Sequence, residues 1–301
     1  MGIQLRGVIA PVVTPFDART GEIAGEAFGA NVRAHLEEGL AGVLVAGSTG
    51  EAPLLDESER RELIELARAV VPGDRVLLVG VGAESTRATV ARSRDAAERG
   101  ADAVLVVPPH YYGPAMTEGA LEAHYRRVAD ESAIPVMLYN IPKYTHFALA
   151  PALVRELSRH ENIIGMKDSS GDLELLRQYM DSKSESFTVL TGHAGALLAA
   201  LEMGAGGAIL AASLFAAGLA LEVSDAFAAG ESARASRAQE RLTPVNKEIV
   251  GNLGVPGIKA ALDVIGLNGG EPRAPLLALG EGERERVARL VRAAAGAARA
   301  A

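Results

Sequence analysis

The sequence predicts an α/β protein built as a (β/α)8 TIM barrel with a C-terminal helical appendage. Eight short apolar runs rich in Val, Ile and Leu alternate with amphipathic stretches rich in Ala, Glu and Arg, which is the pattern of repeated βα units. Each run is continuously apolar, as in parallel strands that are covered on both faces. Eight parallel strands joined by right-handed helical crossovers close into a barrel, so the count argues against an open doubly wound sheet.

The predicted elements follow one another in a regular order. The strands cover residues 7–13, 42–46, 76–80, 103–107, 135–140, 163–167, 187–191 and 207–211. The helices that follow them cover residues 25–38, 56–70, 85–99, 117–132, 151–160, 172–182, 194–203 and 217–229. Asp56 and Ser85 stand at two helix starts, where a side-chain oxygen can accept from the unpaired amides of the first turn.

The strand runs stop after about residue 230. Three further helical patterns follow, at residues 231–250, 256–265 and 281–301. We therefore expect a barrel over residues 1–230 and a helical extension over residues 231–301.

Composition and charge exclude several classes of protein. The 301 residues are 49% hydrophobic and 23% charged, the balance of a globular protein with a large core. With 30 basic and 38 acidic side chains, the net charge of −8 repels a phosphate backbone and argues against a nucleic-acid partner. No run of eighteen apolar residues is present, and the apolar start is broken by Gln4 and Arg6 with no cleavage site behind it. We expect no membrane span and a cytoplasmic location.

The sequence favours chemistry by its own oxygen and nitrogen side chains. It has no cysteine, which excludes a thiol nucleophile and thiolate-held metals, and its six histidines lack the paired spacing of a metal site. The break at residues 80–85 lacks the third glycine of a dinucleotide fingerprint, and no Gly-Lys-Ser/Thr phosphate loop occurs. The residues thus give little support for a metal or a nucleotide, and the chemistry comes from oxygen and nitrogen side chains or from another bound cofactor.

Polar side chains stand at four of the predicted strand ends, where catalytic groups lie in this fold. These segments are residues 47–51, 111–112, 139–140 and 167–172. Lys167 is the most informative residue, because burial at the mouth of an apolar barrel disfavours its ammonium form and a neutral amine can form a Schiff base with a ketone. The alternative is a lysine paired with a neighbouring carboxylate. Of the other lysines, Lys143 is expected in a loop. Lys183, Lys247 and Lys259 are expected on solvated faces.

The other strand ends each allow more than one interpretation. The small residues around Ser48 and Thr49 allow backbone amides to turn inward and bind a carboxylate or phosphate, or they form only a helix-capping turn. The Tyr139 phenol is expected near Lys167, where it either relays a proton or is a core tyrosine. Tyr111 and Tyr112 belong to a site, to loop packing or to a subunit contact.

Taken together, these motifs resemble the dihydrodipicolinate synthase / N-acetylneuraminate lyase superfamily of pyruvate-dependent class I aldolases. The matching segments span the barrel at the spacing of that family: GSTGE at 47–51, YY at 111–112, YNIP at 139–142, GMKDS at 165–169 and TG at 191–192. The last third of the chain is most similar to 4-hydroxy-2-oxoglutarate aldolase, through residues 165–172, 254–259 and 269–276.

The resemblance implies a set of catalytic roles. Lys167 attacks C2 of a 2-oxo acid, and the resulting cationic imine acts as the electron sink when the C3–C4 bond breaks or forms. Tyr139 takes the proton of the C4 hydroxyl during cleavage. Thr49 and Tyr112 connect Tyr139 to solvent, and Tyr112 reaches in from a neighbouring subunit. The resemblance also implies that no metal or organic cofactor is required.

The resemblance also implies how substrate and subunits are held. Ser48 and Thr49 bind the C1 carboxylate, while Gly192 and Ile209 pack near the pyruvate unit. Because the tyrosine of one subunit completes the site of another, we expect a homotetramer formed as a dimer of dimers.

Two departures from the family concern the aldehyde half of the substrate. Tyr144 stands where the synthases carry an arginine that binds the carboxylate of aspartate semialdehyde, although neighbouring Lys143 offers a point charge. His193 follows Gly192 where relatives carry an acidic or small residue, so it helps to choose the second substrate or caps the helix that begins at residue 194.

The sequence therefore predicts a class I aldolase or lyase that uses pyruvate and an aldehyde, with 4-hydroxy-2-oxoglutarate or a 2-keto-3-deoxy sugar acid as substrate. The nearest alternative is a 4-hydroxy-tetrahydrodipicolinate (dihydrodipicolinate) synthase. Alternatives of another class are a non-catalytic barrel that binds a sugar acid and a barrel that binds a phosphorylated ligand without covalent chemistry.

Overall fold

The computed structural model describes residues 5–296 and contains a closed barrel of eight parallel strands in the order β1 to β8. The strands are Gly7–Pro11, Gly42–Val45, Val76–Gly80, Ala103–Val106, Val136–Asn140, Ile163–Asp168, Thr188–Thr191 and Gly207–Ile209. Every predicted strand is confirmed, and the observed ends lie within two residues of the predicted ones. The predicted (β/α)8 barrel is therefore confirmed.

The barrel helices also follow the predicted order. Helices α1 to α9 are Gly25–Glu37, Glu57–Arg68, Thr86–Glu98, Glu118–Glu131, Pro142–Thr145, Pro151–Leu157, Leu173–Met180, Leu197–Glu202 and Ser213–Ala228. Asp56 and Ser85 cap α2 and α3 as predicted, since their side chains accept from the amides of Glu59 and Ala88.

Two details of the helix prediction are wrong. The short helix α5 was expected to be a loop, and it therefore places Lys143 on a helical turn. Helix α9 begins at Ser213 and not at residue 217, because a kink with non-helical dihedral angles at Ala216 joins an extra first turn to it.

The C-terminal region is helical, but its first helix differs from the prediction. Helix α10, Ser232–Val245, runs directly into a π-helix, Asn246–Leu253, which is followed by α11, Gly254–Val264. Pro244, which has no N–H to donate, lies just before this change of helix type. Helix α12 is Glu281–Gly296, and the remainder of the predicted helix, from residue 297 on, lies outside the described residues.

The hydrophobic core has two layers that follow the alternation of side chains along each strand. Inward-pointing residues fill the barrel, among them Ile9, Leu44, Leu105 and Met137. The second layer lies between the strands and the surrounding helices, and residues of the C-terminal helices, such as Leu242 and Ile258, belong to it.

The division of the chain at residue 230 into a barrel and a helical extension stays a prediction. Within residues 5–296, no helix is both long enough and apolar enough to cross a membrane.

Candidate active site

A cavity of about 290 Å³ opens at the carboxyl ends of the strands, the end of the barrel at which the sequence placed the site. It is lined by eight of the nine predicted site residues: Ser48, Thr49, Tyr139, Tyr144, Lys167, Gly192, His193 and Ile209. The ninth, Tyr112, does not line it. The strand ends of β2, β5, β6, β7 and β8 thus meet around a single space.

Lys167 and Tyr139 face each other inside the barrel. They are register partners on β6 and β5, so both side chains point inward at the same level. The Nζ atom of Lys167 lies 3.3 Å from the Tyr139 hydroxyl and 4.4 Å from the centre of its ring. Both residues are about 95% buried, which places an amine and a phenol within proton-transfer distance in a space shielded from water.

The alternative that Lys167 pairs with a carboxylate is not what the structure shows. Among the ion pairs between described residues, none involves Lys167. The adjacent carboxylate, Asp168, accepts from the Asn140 amide at 2.7 Å and from the Ser170 hydroxyl at 2.8 Å. Burial raises the pKa of the Asp168 carboxyl above its usual range, with these hydrogen bonds opposing the shift. Asp168 therefore fixes the end of β6 against β5 and does not pair with the amine of Lys167.

Gly192 leaves the space that the lysine occupies. A Cβ atom at this position would lie 2.7 Å from Cε of Lys167 and 2.0 Å from Oγ of Ser169, both well inside contact distance. Because any larger residue would displace Lys167, glycine is required here by the position of the amine.

The loop after β2 presents unpaired donors to the cavity. The backbone amides of Ser48 and Thr49 donate to no acceptor among the described residues, while the following amides of Glu51 and Ala52 bond back to Ser48 and Gly47. Consecutive free N–H groups beside two hydroxyls have the chemistry that suits an anion. The alternative that this loop only caps a helix explains the inward amides less well. Glu51, with φ of 60°, caps only the three-residue 3-10 helix Ala52–Leu54, and its side chain makes no hydrogen bond to it.

Tyr144, Lys143 and His193 line the part of the cavity that the sequence predicts to contact the aldehyde. Tyr144 is 44% exposed, and burial of its remaining surface raises the pKa of its phenol, which stays neutral. Lys143 lines the cavity, yet its ammonium donates to the Gly251 carbonyl of the π-helix at 2.9 Å. This contact connects α5 to the C-terminal region.

His193 is held as a neutral ring. Its side chain lies between Gly171 and Gly195, where an added Cβ would meet the ring at 3.0 Å and 2.9 Å, respectively. Burial lowers the pKa of the imidazole, and its Nδ1 has no hydrogen-bond partner among the described residues. The capping alternative is only partly correct, since His193 occupies the N-cap position of the 3-10 helix Ala194–Ala196 without a side-chain bond to it.

Tyr111 and Tyr112 lie outside the cavity of their own chain. They are 77% and 69% exposed, and their rings stack edge to face at 5.0 Å. The amide of Tyr111 and that of His110 both donate to Glu84, which fixes the loop on the barrel surface. The structure of the single chain thus does not bring Tyr112 to Lys167.

The sequence prediction missed the contribution of the C-terminal region. One wall of the cavity comes from the π-helix and α11: Asn246, Val250, Gly251, Gly254, Val255 and Ile258. Asn246 is buried in this wall, at the start of the π-helix. The prediction for Lys259 is wrong, because this residue is 1% exposed and its Nζ lies 2.5 Å from Glu51. In the sequence, only Pro244, which lies just before the change of helix type, gave a local signal. In the described part of the chain, no three His, Asp or Glu side chains cluster as a metal site would require.

The buried amine of Lys167, at the end of a barrel strand beside a phenol and an anion-binding loop, defines a Schiff-base-forming class I aldolase. The chain belongs to the dihydrodipicolinate synthetase family, whose model matches residues 4–294. It is accordingly a pyruvate-dependent enzyme of the lyase type, as the resemblance in sequence implied.

Relatives and solved structures cover nearly the whole chain. A 4-hydroxy-tetrahydrodipicolinate synthase from Synechococcus sp. (strain CC9311) is 37% identical over 95% of this chain and 94% of its own length. The crystal structure of a dihydrodipicolinate synthase from Bacillus anthracis is similar with a TM-score of 0.92 and 30% identity, covering 97% and 99% of the two chains. A prophage protein of the same family from E. coli K12, solved in complex with pyruvate, gives a TM-score of 0.91 and 29% identity over 97% and 99%.

Proposed function

We propose that this aldolase joins pyruvate to an uncharged, hydroxylated aldehyde, or cleaves the 4-hydroxy-2-oxo acid that results, as in a 2-keto-3-deoxy sugar acid. One observation carries the proposal: within residues 5–296, the part of the cavity predicted to contact the aldehyde offers no guanidinium, and its one ammonium, that of Lys143, is directed to a backbone carbonyl. No arginine is among the described residues that line the cavity, Lys143 is bound to Gly251, and burial favours the neutral form of His193. A second carboxylate would find no paired donor fork there, and Lys143 would have to leave the Gly251 carbonyl to reach it.

The same argument separates the two predicted substrates. The aldehyde half of 4-hydroxy-2-oxoglutarate is glyoxylate, which carries a carboxylate, whereas the aldehyde half of a 2-keto-3-deoxy sugar acid carries hydroxyl groups. Tyr144, His193 and Asn246 are neutral donors and acceptors that suit hydroxyl groups. We therefore favour the sugar acid over 4-hydroxy-2-oxoglutarate.

In the proposed mechanism, the amine of Lys167 attacks C2 of pyruvate, one proton is taken up and water leaves, which gives a protonated imine. C3 gives up a proton to the hydroxyl relay that connects Tyr139 to solvent, and the resulting enamine attacks the aldehyde carbon through C3. The developing alkoxide takes a proton from the Tyr139 phenol, which regains one from the relay. Water then hydrolyses the protonated imine, which frees the Lys167 amine, returns the first proton and releases the product. The amides and hydroxyls of Ser48 and Thr49 hold the C1 carboxylate, and Gly192 and Ile209 contact the three-carbon unit.

A 4-hydroxy-tetrahydrodipicolinate synthase is the second candidate. It is favoured by the names of the curated relatives, which are 31–37% identical over most of the chain. Those enzymes condense pyruvate with aspartate semialdehyde, according to the resemblance described above, and Tyr144 replaces the arginine that binds the semialdehyde carboxylate. This replacement is the reason for ranking the synthase second.

A borohydride experiment tests the class of chemistry. The enzyme is incubated with pyruvate, reduced and weighed as intact protein, with Lys167→Arg as the matched control, because a guanidinium stays protonated and cannot form the imine. We expect a pyruvate adduct on the wild type and none on the variant. No adduct on the wild type would instead favour a non-covalent barrel that binds a sugar acid or a phosphorylated ligand.

A substrate panel tests the aldehyde partner. The kcat/KM values for glyceraldehyde, glyoxylate and aspartate semialdehyde are measured with pyruvate at saturation, for the wild type and for Lys143→Met. We expect glyceraldehyde to be preferred over both acids by about two orders of magnitude. If aspartate semialdehyde is preferred, the synthase assignment replaces the proposal. Loss of that preference in Lys143→Met would identify Lys143 as the compensating charge.

We also propose that the enzyme is a homotetramer, a dimer of dimers in which Tyr112 completes the site of a neighbouring subunit. The exposure of Tyr111 and Tyr112 supports this assembly, because large aromatic side chains left on a surface mark contact sites. A cytoplasmic location and the absence of a required cofactor stay predictions.

A further inference from the structure

A buried ionic network connects the C-terminal region to the loop that carries Ser48 and Thr49. The ammonium of Lys259 on α11 lies 2.5 Å from Oε1 of Glu51, and the two side chains are 2% and 0% exposed. The other carboxylate oxygen of Glu51 accepts from the backbone amide of Arg273 at 2.8 Å. Lys259 also donates to the Glu271 carbonyl at 2.8 Å. It therefore connects the loop after β2 to the segment that follows α11.

The network extends from this pair to the start of α2. The guanidinium of Arg273 donates to the Leu54 carbonyl at 3.0 Å and to Glu59 at 2.6 Å, and it stacks 3.9 Å from the ring centre of Phe16. The ammonium of Lys259 lies 4.7 Å from the same ring. The aromatic ring and the two cations thus surround Glu51, and none of these residues lines the cavity where substrate would bind.

Glu51 is in a backbone conformation that needs external support. Its φ of 60° is in the left-handed region, which non-glycine residues seldom adopt and which persists when the surroundings fix it. The amide of Glu51 closes the turn by donating to the Ser48 carbonyl, and the carbonyl of the preceding residue, Gly50, accepts from the buried Thr14 hydroxyl at 2.8 Å. The orientation of the Ser48 and Thr49 amides therefore depends on where Glu51 is held.

We propose that the Glu51–Lys259 ion pair is a positioning device that holds the Ser48 and Thr49 amides in the geometry that binds the pyruvate carboxylate. Burying two charges costs free energy and is weak evidence for stability alone, so a role in fixing geometry accounts for the pair better. The C-terminal region thereby contributes to pyruvate binding through α11, at a distance from the substrate. This inference rests on the proposed role of Ser48 and Thr49.

The test is a double-mutant cycle with Glu51→Gln, Lys259→Met and the double variant. Each single variant leaves one buried group without its partner and loses stability, whereas the double variant removes both charges and regains much of the fold's stability. Steady-state kinetics give the KM for pyruvate, the KM for the aldehyde and kcat. The pyruvate dependence of borohydride trapping measures binding without turnover.

We expect the folded double variant to have a pyruvate KM raised about tenfold, below the roughly hundredfold effect that a misplacement of about 1 Å can have. The KM for the aldehyde should be unchanged, and the melting temperature should lie close to that of the wild type. Asp95→Asn is the matched control, because Asp95 joins Arg61 and Arg99 between α2 and α3, away from the cavity. It should lower the melting temperature without changing the KM for pyruvate.

A double variant with an unchanged pyruvate KM would overturn the inference and leave the network a purely structural one. Ser48→Ala and Thr49→Val separate this failure from a failure of the proposed site. If these two variants raise the pyruvate KM while the double variant does not, only the positioning role is wrong. If none of them changes it, the carboxylate binds elsewhere and the assignment of the loop is also wrong.

Discussion

The chemistry of a single lysine depends on what surrounds it, and Lys167 shows which neighbours matter. Its amine has a phenol at 3.3 Å and no carboxylate partner among the described residues, while the adjacent Asp168 is occupied by Asn140 and Ser170. Gly192 keeps the opposite side open. These contacts hold the amine of Lys167 in place without pairing it with a carboxylate, so it can act as a nucleophile.

The Tyr139 phenol should matter for the rate of reaction more than for pyruvate binding. Tyr139→Phe keeps the ring that packs in the barrel and removes only the hydroxyl 3.3 Å from Lys167. We expect kcat to fall by about 10² to 10⁴ because general acid–base catalysis contributes effects of this size. Borohydride trapping should still detect the pyruvate adduct. An unchanged kcat would move the proton relay to another group, with Tyr112 as the first candidate.

The residue at position 144 should control whether a charged aldehyde is accepted. Tyr144→Arg places a guanidinium at the cavity wall, where it can form paired hydrogen bonds with a carboxylate. We expect kcat/KM for aspartate semialdehyde to rise about tenfold or more, with little gain for glyceraldehyde. Tyr144→Phe is the control, since it removes the hydroxyl and adds no charge. Equal changes for both aldehydes would show that position 144 does not select on charge.

At the scale of secondary structure, the site depends on close approach between strands β6 and β7. Gly165 pairs with Thr188, and a Cβ at Gly165 would lie 2.4 Å from the Thr188 carbonyl oxygen. Gly165→Ala should therefore destabilise the protein by about 1–3 kcal/mol, the usual cost of overpacking. It should also reduce activity, because Lys167 lies two residues further along the same strand.

Gly119→Ala is the matched control for this prediction. Gly119 lies on α4, and a Cβ there would have no atom within 4 Å. In a helix the change from glycine to alanine is favourable by up to about 1 kcal/mol. Urea unfolding of both variants measures the difference, and equal stabilities would contradict the packing argument.

The barrel could be predicted from the sequence because its signals are local. Strands that are buried on both faces read as continuous apolar runs, and capping residues such as Asp56 and Ser85 mark helix starts. The location of the predicted site residues could then be inferred, since the carboxyl ends of the strands converge at one end of a closed barrel. Lys259 could not be judged in this way, because its burial depends on how α11 docks against the loop after β2. The same holds for Asn246, which faces the cavity only because the π-helix turns it there.

At the scale of the whole molecule, one buried histidine links stability to pH. His124 on α4 is 5% exposed, its Nδ1 contacts the Thr86 hydroxyl at 2.9 Å, and its Nε2 has no partner within the described residues. Burial lowers the pKa of this imidazole to about 4, with the charge of Glu84 opposing the shift. An unfolded histidine takes up its proton near pH 6.5, so between pH 6.5 and about 4 the unfolded chain binds more protons.

Acidification should therefore lower the free energy of unfolding. From pH 7 to pH 5, His124 should account for a loss of about 2 kcal/mol. The loss should be smaller by that amount in His124→Gln and unchanged in the control His146→Asn, because His146 is exposed and asparagine tolerates its left-handed backbone. Urea unfolding at the two pH values gives the difference. Equal losses in the wild type and in His124→Gln would show that His124 is already protonated in the folded protein.

The assembly of subunits makes the most demanding prediction, because it concerns a residue that a single chain leaves unused. Tyr112 is 69% exposed and lies outside the cavity of its own chain, so it can serve catalysis only from another subunit. Lys167→Ala removes the amine and leaves Tyr112 intact, whereas Tyr112→Phe leaves the amine intact. Each variant alone should be nearly inactive. When the two are mixed and allowed to reassort, a dimer with one subunit of each kind contains one site with both groups, so about a quarter of all sites should regain activity.

Sedimentation should show an oligomer under the assay conditions, and Tyr111→Phe mixed with Lys167→Ala is the control for nonspecific effects of mixing. Activity equal to the average of the separate variants, or an active monomer, would show that Tyr112 does not complete a neighbour's site.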